Sequence, residues 1–149
     1  MPRRGVFDVR YDTAFRQVML GCAEPAPGRE ETWISAELIE IYCRLHELGF
    51  AHSVETWLDD ELVGGVYGVS IAGLFAGESM FSAVRDSSKV ALVALVERLR
   101  ARDFQLLDIQ FMTEHLRRFG AVEISAAAYK MKLARALMVP ARFEKVEER

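Results

Sequence analysis

Glu78, Asp108 and Gln110 are the polar side chains whose type and position, toward the ends of predicted strands, could do chemistry. Glu78 lies in Gly77-Glu78-Ser79-Met80-Phe81-Ser82, directly after a short apolar run, so we expect it where a strand ends and a loop leads into a helix. Asp108 and Gln110 occupy a second apolar run, and alternation along a strand places them on one face. A carboxylate such as Glu78 can hold an amine, and the neighbouring Met80 can line an apolar pocket.

Each of these residues also has a purely structural interpretation. Glu78 would be a surface charge at a strand end, and Met80 would fill the core. Asp108 would cap a loop, and Gln110 would be a polar group at the end of its strand. The residues by themselves leave both interpretations open.

The elements that must position these side chains follow from hydrophobic spacing and turn signals. Glycines inside a strand weaken it unless a bulge or a close backbone approach requires them, so Gly64, Gly65 and Gly68 predict such a place. The predicted elements are a strand at 6–9, a helix capped by Asp12 or Thr13 and ending at Gly21, a helix capped by Ser35 and ending at Gly49, strands at 51–58 and 61–70 joined by an Asp59-Asp60 turn, a strand reached through Ala72-Gly73, a helix capped by Ser88 over 89–102, a strand at 105–110, a short helix from about Thr113 to Gly120, a strand at 122–124, and a helix capped by Ser125 that runs to Leu137.

This order predicts an α/β (α+β) fold, a mixed sheet with helices on both faces. The strands that carry Glu78 and Asp108 flank one crossover helix, so they should be parallel neighbours. Their carboxyl ends then lie side by side, where open sheets of this kind bind ligands. We expect one domain over residues 1–140, followed by a charged tail over 141–149.

Composition excludes several classes of protein. A length of 149 residues with 51% hydrophobic content suits one domain with a sizeable core, and a formal charge of −3 argues against a surface made mainly for phosphate backbones. No apolar run approaches the roughly 20 residues that span a bilayer. Membrane contact is therefore not expected. We read Cys22 and Cys43 as reduced thiols, which favours a cytoplasmic protein. His46, His52 and His115 lack ligand spacing, so no metal is predicted; no other cofactor is predicted either.

A series of motifs resembles the leucyl/phenylalanyl-tRNA–protein transferase family. The likeness runs from about Phe15 to about Tyr129, and Gly77-Glu78-Ser79-Met80-Phe81-Ser82 is its most specific part. The other motifs are Trp33-Ile34, Leu45-His46-Glu47-Leu48-Gly49, Ala51-His52-Ser53-Val54-Glu55, Leu62-Val63-Gly64-Gly65-Val66-Tyr67-Gly68, Ser88-Lys89 and Asp108-Ile109-Gln110. The resemblance implies a GNAT-like acyltransferase domain, in agreement with the predicted sheet. It also implies transfer of Leu, Phe or Met from aminoacyl-tRNA to proteins that begin with Arg or Lys, which marks the product for degradation.

Roles for individual residues follow from the resemblance. Asp108 and Gln110 match the pair that promotes attack by the acceptor amine, and Glu78 would receive the donor's α-amino group or organise polar contacts around the ester. Trp33 resembles the tryptophan beside the 3′ aminoacyl-adenosine, although a core tryptophan before a helix is the alternative. The implied substrate-binding residues are Trp33, Ser79, Met80, Leu92, Leu95 and Leu107, of which Met80 and the three leucines would form the apolar pocket for the donor side chain.

The sequence also departs from the family pattern. Family members carry an additional N-terminal domain that contacts the tRNA end, whereas this chain begins almost at the catalytic domain. We therefore expect either a compact enzyme or one that acts with a partner in place of that domain. Ala83 stands where a basic residue is usual, and Thr113 where an Asn is usual. Fewer phosphate contacts would weaken tRNA binding and its salt dependence together.

Two other functions stay open at this stage. A GNAT acyltransferase that uses acyl-CoA is one, but the stretch 82–88 lacks the glycines with which such enzymes cradle a pyrophosphate. A non-catalytic or degenerate paralogue that binds protein N-termini is the other, and the retained Asp108, Gln110 and Glu78 argue against it.

Overall fold

A five-stranded mixed sheet forms the centre of the protein, in a computed structural model that describes residues 6–24, 34–109 and 120–144. Its strands lie in chain order, and all neighbours are antiparallel except the last pair, which is parallel. The predicted mixed sheet is therefore confirmed. The elements of the described residues are β1 (Asp8–Tyr11), α1 (Phe15–Ala23), α2 (Ala36–Glu47), β2 (Ala51–Leu58), β3 (Glu61–Ile71), β4 (Leu74–Ser82), α3 (Ser87–Ala101), β5 (Leu106–Ile109) and α4 (Ala126–Leu137).

Helices cover both faces of this sheet, as predicted. Val66 of β3 packs in a core cluster with α3, while the next residue, Tyr67, packs in a second cluster with α1 and α2. Because successive side chains of a strand point to opposite faces, α3 covers one face and the pair α1/α2 covers the other. We call these the α3 face and the α1/α2 face.

Several helix ends and turns form where local signals predict them. Ser35 Oγ accepts from Leu38 N, and Ser125 Oγ accepts from Ala128 N, so both N-caps are confirmed. Gly49, just after α2, has φ +88, which glycine adopts without strain. Asp59 and Asp60 both have positive φ between β2 and β3, where a two-residue hairpin turn requires it.

The start of helix α1 differs from the prediction, because its cap comes from a distant strand. Neither Asp12 nor Thr13 caps the helix with its side chain; the N-cap residue is Ala14. Instead the fully buried Glu55 of β2 accepts from Thr13 N at 3.0 Å and from Ala14 N at 3.1 Å. The Ala14 amide is one of the donors that a helix leaves unpaired at its start, and the carboxylate satisfies it. Asp12 instead accepts from Ser53 N at 2.9 Å. Helix α1 also continues past Gly21 to Ala23.

Helix α3 begins two residues earlier than predicted, and Ser88 is not its cap. The N-cap position is held by Asp86 in a left-handed conformation, φ 70, with no side-chain cap. Ser87 points inward instead, and its hydroxyl donates to the carbonyl oxygen of Val63 at 2.9 Å. A buried hydrogen bond to the sheet therefore fixes where α3 starts.

Three further predictions lie near the C-terminal part of the chain. The predicted strand at 122–124 is wrong, since no described strand pairs with it and Val122 is 75% exposed. The predicted short helix before Gly120 lies outside the described residues. Phe143 belongs to the span expected to form a charged tail, yet its ring is 1% exposed and packs in the α3-face cluster.

Candidate active site

Strand β4 contains a bulge at Glu78. Tyr67 of β3 pairs with Ser79 and the adjacent Gly68 pairs with Gly77, which leaves Glu78 as an extra residue without a partner on β3. The prediction that the strand ends before Gly77 is therefore wrong, because β4 continues to Ser82. The predicted close approach is present: a Cβ on Gly68 would lie 2.3 Å from the carbonyl oxygen of Ala76.

The bulge changes which side chains share a face of the sheet. Phe75 precedes it and packs in the α3-face cluster. In an uninterrupted strand Phe81 would point the same way as Phe75, but an extra residue reverses the alternation. Accordingly Met80 packs against the α3-face cluster and Phe81 against the α1/α2-face cluster. The Glu78 bulge thus decides the placement of both.

Glu78 is held by a tyrosine of helix α2. The Tyr42 hydroxyl donates to Glu78 Oε1 at 2.9 Å, and the Tyr42 ring meets the Tyr67 ring edge-on with centroids 5.7 Å apart. Burial first, and then the hydrogen bond to Glu78, raise the pKa of Tyr42 to about 12. Tyr42 therefore stays a protonated donor over the physiological pH range, and Glu78 faces the α1/α2 side.

Asp108 is held in a similar way by helix α4. It lies opposite Ala76 in the parallel register of β5 and β4, which confirms that these strands are parallel neighbours around one crossover helix. The Tyr129 hydroxyl donates to Asp108 Oδ2 at 2.8 Å. The pKa of Tyr129 is raised, chiefly by this hydrogen bond. Because Leu107 and Ile109 pack against the α3-face cluster, alternation turns Asp108 to the same face as Glu78.

A cavity of about 760 Å³ lies between α3, β5 and the first turn of α4. Asp108 and Tyr129 line it together with apolar side chains, and Arg100 and Lys132 bring positive charge to its wall. Among the described residues, the lining consists of Leu92, Val96, Arg100, Leu106, Leu107, Asp108, Ile109, Gly120, Ala121, Val122, Glu123, Ile124, Ala126, Tyr129 and Lys132. The arrangement places a carboxylate at the side of a largely apolar hole.

The cavity takes in some of the predicted site residues and not others. Leu92, Leu107 and Asp108 line it. Leu95 is 1% exposed inside the core, with Met80 packed against the same cluster. Glu78 and Ser79 lie in β4 and are not part of the lining. The predicted residues Trp33 and Gln110 lie outside the described residues, as do Thr113 and His115.

Two residues that contact the predicted carboxylates are missing from the sequence prediction. Tyr42 fits the apolar spacing of α2, so the sequence indicates a core residue and gives no sign that its hydroxyl reaches β4. Tyr129 lies one turn inside a helix whose docking on the sheet local spacing does not predict. The sequence offers one general signal for such contacts. A tyrosine hydroxyl that becomes buried needs an acceptor, and the carboxylates of Glu78 and Asp108 can serve as acceptors.

Comparison with known proteins decides the family. The model of the leucyl/phenylalanyl-tRNA protein transferase family matches residues 1–134. The chain belongs to this family. It is 63% identical over 141 residues to the leucyl/phenylalanyl-tRNA–protein transferase of Herpetosiphon aurantiacus, which covers 95% of this chain and 72% of that protein. The same enzyme from Phenylobacterium zucineum is 61% identical over 137 residues, covering 92% of this chain and 62% of that protein.

Membership in this family confirms the resemblance seen in the sequence, at the level of an aminoacyltransferase family. The two relatives just named are longer than this chain, which spans 72% and 62% of their respective lengths. No helix in the described ranges is long and apolar enough to cross a membrane.

Several acetyltransferases are among the solved structures similar to this chain, and they confirm the GNAT-like fold. An aminoglycoside acetyltransferase from an uncultured soil metagenomic sample, crystallised with sisomicin, has a TM-score of 0.57 and 13% identity, covering 97% of this chain and 95% of that one. A ribosomal-protein-alanine N-acetyltransferase from Brucella melitensis has a TM-score of 0.52 and 14% identity, covering 80% and 92%. At such identities the likeness concerns the fold alone.

Proposed function

We propose that this chain transfers Leu, Phe or Met from an aminoacyl-tRNA to the N-terminal Arg or Lys of an acceptor protein and so marks it for degradation. The observation that carries the proposal is the family membership over residues 1–134, combined with Asp108 at the side of a largely apolar cavity. We place the reaction in the cytoplasm, where aminoacyl-tRNA is made.

The reaction is aminolysis of an activated ester. The neutral acceptor amine attacks the carbonyl carbon of the aminoacyl ester, a C–N bond forms, and the C–O bond to the ribose breaks. One proton moves overall from the amine nitrogen to the ribose oxygen. The step needs close approach, a neutral amine and stabilisation of the tetrahedral oxyanion.

Asp108 is the residue to which we assign the acceptor side of this reaction. Its carboxylate attracts the acceptor's ammonium group and can accept the proton that the amine must lose before it attacks. Gln110, beside it in the sequence, would position the amine through its amide oxygen, since an amide is not a useful base at neutral pH. Glu78 would receive the donor's α-amino group, and Trp33 would lie against the 3′ adenosine.

The apolar part of the cavity suits the side chain of the donor amino acid. Leu92 and Leu107 line it. Leu92 and Leu95 belong to the α3-face core cluster, and Leu107 and Met80 pack against that cluster. Burying an apolar side chain there gains roughly 25 cal/mol per Å², whereas a charged side chain would lose its hydration without compensation. Ser79 would contribute a polar contact next to Met80.

The experiment is a transfer assay with Phe-tRNA and a peptide that begins with Arg. We expect the peptide to gain Phe, and the Asp108→Asn variant to be slower by roughly 100-fold or more. Asp59→Asn is the matched control, because it makes the same chemical change in the exposed β2–β3 turn. A peptide that begins with Ala tests the acceptor preference. Equal rates in wild type and Asp108→Asn would contradict the assignment of Asp108.

Transfer from acyl-CoA is the second candidate, because several of the similar solved structures are acetyltransferases. The start of α3 argues against it. Ser87 N already donates to Val84 O at 3.0 Å, and Ser88 N points to Ser82 Oγ at 3.4 Å. The N-cap residue is acidic, Asp86, and its carboxylate pairs with Lys89 Nζ at 3.5 Å. A pyrophosphate needs free amide donors and no carboxylate there. Acetyl-CoA therefore belongs in the assay as a rival donor, and acetylated peptide would favour this candidate.

The tRNA is the partner that the described residues account for least. Arg100 and Lys132 on the cavity wall can meet phosphate, but the relatives are longer than this chain. Further tRNA contacts would come from residues beyond this chain or from a partner protein. A salt series of the transfer assay measures them, since each lost phosphate contact lowers the salt dependence of binding.

A further inference from the structure

Tyr129 connects helix α4 to the strand that carries the proposed reactive carboxylate. Its hydroxyl donates to Asp108 Oδ2 at 2.8 Å, across a sequence separation of 21 residues. Both side chains line the same cavity, and both are partly exposed. The contact is therefore made at the wall of the proposed site and not in the core.

The first turn of α4 is well fixed, which gives the Tyr129 hydroxyl a defined position. Ser125 caps the helix through Ala128 N, and Tyr129 N donates to Ser125 O at 2.9 Å. The other end of α4 is attached to the sheet, because Gly73 N donates to Ala136 O at 2.9 Å and Ala136 is fully buried. The helix thus has an anchor that does not depend on Tyr129.

A carboxylate on a strand edge can rotate about its last side-chain torsion, which is broad in aspartate. A hydrogen bond to one oxygen selects one orientation of the carboxylate plane, and the second oxygen is then aimed in a fixed direction. Such orientation matters for an amine that must approach a carbonyl carbon along one line. A small misplacement of the group that positions it slows the chemical step without preventing binding.

We infer that Tyr129 is a positioning residue for aminoacyl transfer, which orients the Asp108 carboxylate toward the acceptor amine. The inference rests on the proposed function. Tyr129 does not itself touch the reacting atoms. It acts through Asp108, and its removal should affect the chemical step more than the binding of either substrate.

Steady-state kinetics of Tyr129→Phe provides the first test. We expect kcat to fall roughly 10- to 100-fold, as loss of a hydrogen bond to a charged group predicts, while the KM for aminoacyl-tRNA stays within about twofold. Tyr11→Phe is the matched control, since it removes the same atom from β1, which lies at the opposite edge of the sheet from β5. An unchanged kcat, or a loss confined to KM, would overturn the inference.

The second test needs no activity and so separates this inference from the proposed function. In protein labelled at the tyrosine ring carbons, the NMR signal of Tyr129, assigned by its absence in Tyr129→Phe, should titrate above the ordinary value near 10. In Asp108→Asn the midpoint should move down, because the neighbouring negative charge is gone. A midpoint that does not move would show that the pair is absent in solution. If the wild-type chain transfers no amino acid, the proposed function fails; if it transfers and Tyr129→Phe equals it, this inference alone fails.

Discussion

The Tyr42 hydroxyl and the Glu78 carboxylate are joined by a hydrogen bond of 2.9 Å that runs from helix α2 to the bulge of strand β4. Glu78, the bulge residue, has no partner on β3. Its contact with helix α2 is made through its side chain. This contact makes the position of Glu78 depend on how α2 packs on the sheet.

Alkaline pH should destabilise the fold through Tyr42. Its pKa is raised to about 12 in the folded state, against about 10 in the unfolded chain, so the folded state holds the proton more tightly. The stabilisation is complete below about pH 10 and is lost as the pH rises toward 12. Urea unfolding at a series of pH values should show a steeper fall of the free energy of unfolding in wild type than in Tyr42→Phe. Parallel slopes would contradict this. Tyr67, whose pKa burial also raises, contributes in the same direction in both proteins.

Gly68→Ala should be far more destabilising than Gly77→Ala, although the two glycines face each other across β3 and β4. A Cβ on Gly68 would lie 2.3 Å from the backbone oxygen of Ala76, so the strands must separate. A Cβ on Gly77 would meet its nearest atom, Asp108 O, at 3.6 Å, which is ordinary contact. We expect a loss of about 3 kcal/mol or more for Gly68→Ala and less than about 1 kcal/mol for Gly77→Ala in chemical denaturation. Equal losses would mean that the strands are not so close.

Glu55→Gln should destabilise the protein although it preserves shape. The Glu55 carboxylate is fully buried and accepts from Thr13 N, Ala14 N, Ser53 Oγ and Trp57 Nε1. An amide turns an acceptor into a donor that faces other donors, for which we expect a loss of roughly 1–3 kcal/mol or more in the free energy of unfolding. Glu61→Gln, at the exposed start of β3, is the control and should change little. A Glu55→Gln protein as stable as this control would contradict the capping role.

Phe143→Ala should cost about 3–5 kcal/mol of stability, as for other buried aromatic residues. Its ring is 1% exposed and stacks on His52 and Phe75, with centroids 4.4 and 5.6 Å away. Met138→Ala is the control, because Met138 is 82% exposed. Thermal unfolding of both variants measures the difference, and similar melting temperatures would mean that residues around 143 do not belong to the core.

Local signals in the sequence predict much of the fold. The caps Ser35 and Ser125 and the Asp59-Asp60 turn depend on only a few neighbouring residues. The parallel pair β4–β5 follows from the rule that two strands joined by one crossover helix lie parallel in the same sheet. The start of α1 could not be predicted, because its cap, Glu55, lies on another strand. The continuation of β4 past Ala76 was missed because glycine and polar residues in the middle of a strand resemble a loop.

In the candidate site, too, features that depend on local signals were predicted, and contacts between distant elements were not. The position of Asp108 on a strand next to β4 was predicted from the order of the elements and from polar residues within an apolar run. Its partner Tyr129, and Tyr42 beside Glu78, depend on how two helices dock against the sheet, which no short-range pattern encodes. Of the leucines predicted to form the donor pocket, Leu92 and Leu107 line the cavity, whereas Leu95 is packed inside the core; their role in donor binding stays a prediction.

The extra residue in β4 also limits how this segment can be transplanted or shortened. Residues 77–82 hold their orientation only opposite a β3 strand with glycine at position 68, so a graft into another protein would have to carry both strands. Deleting one residue beside Glu78 would exchange the environments of Met80 and Phe81, sending each toward the opposite layer of helices. Insertions and deletions in this motif should therefore come in pairs of residues, never singly.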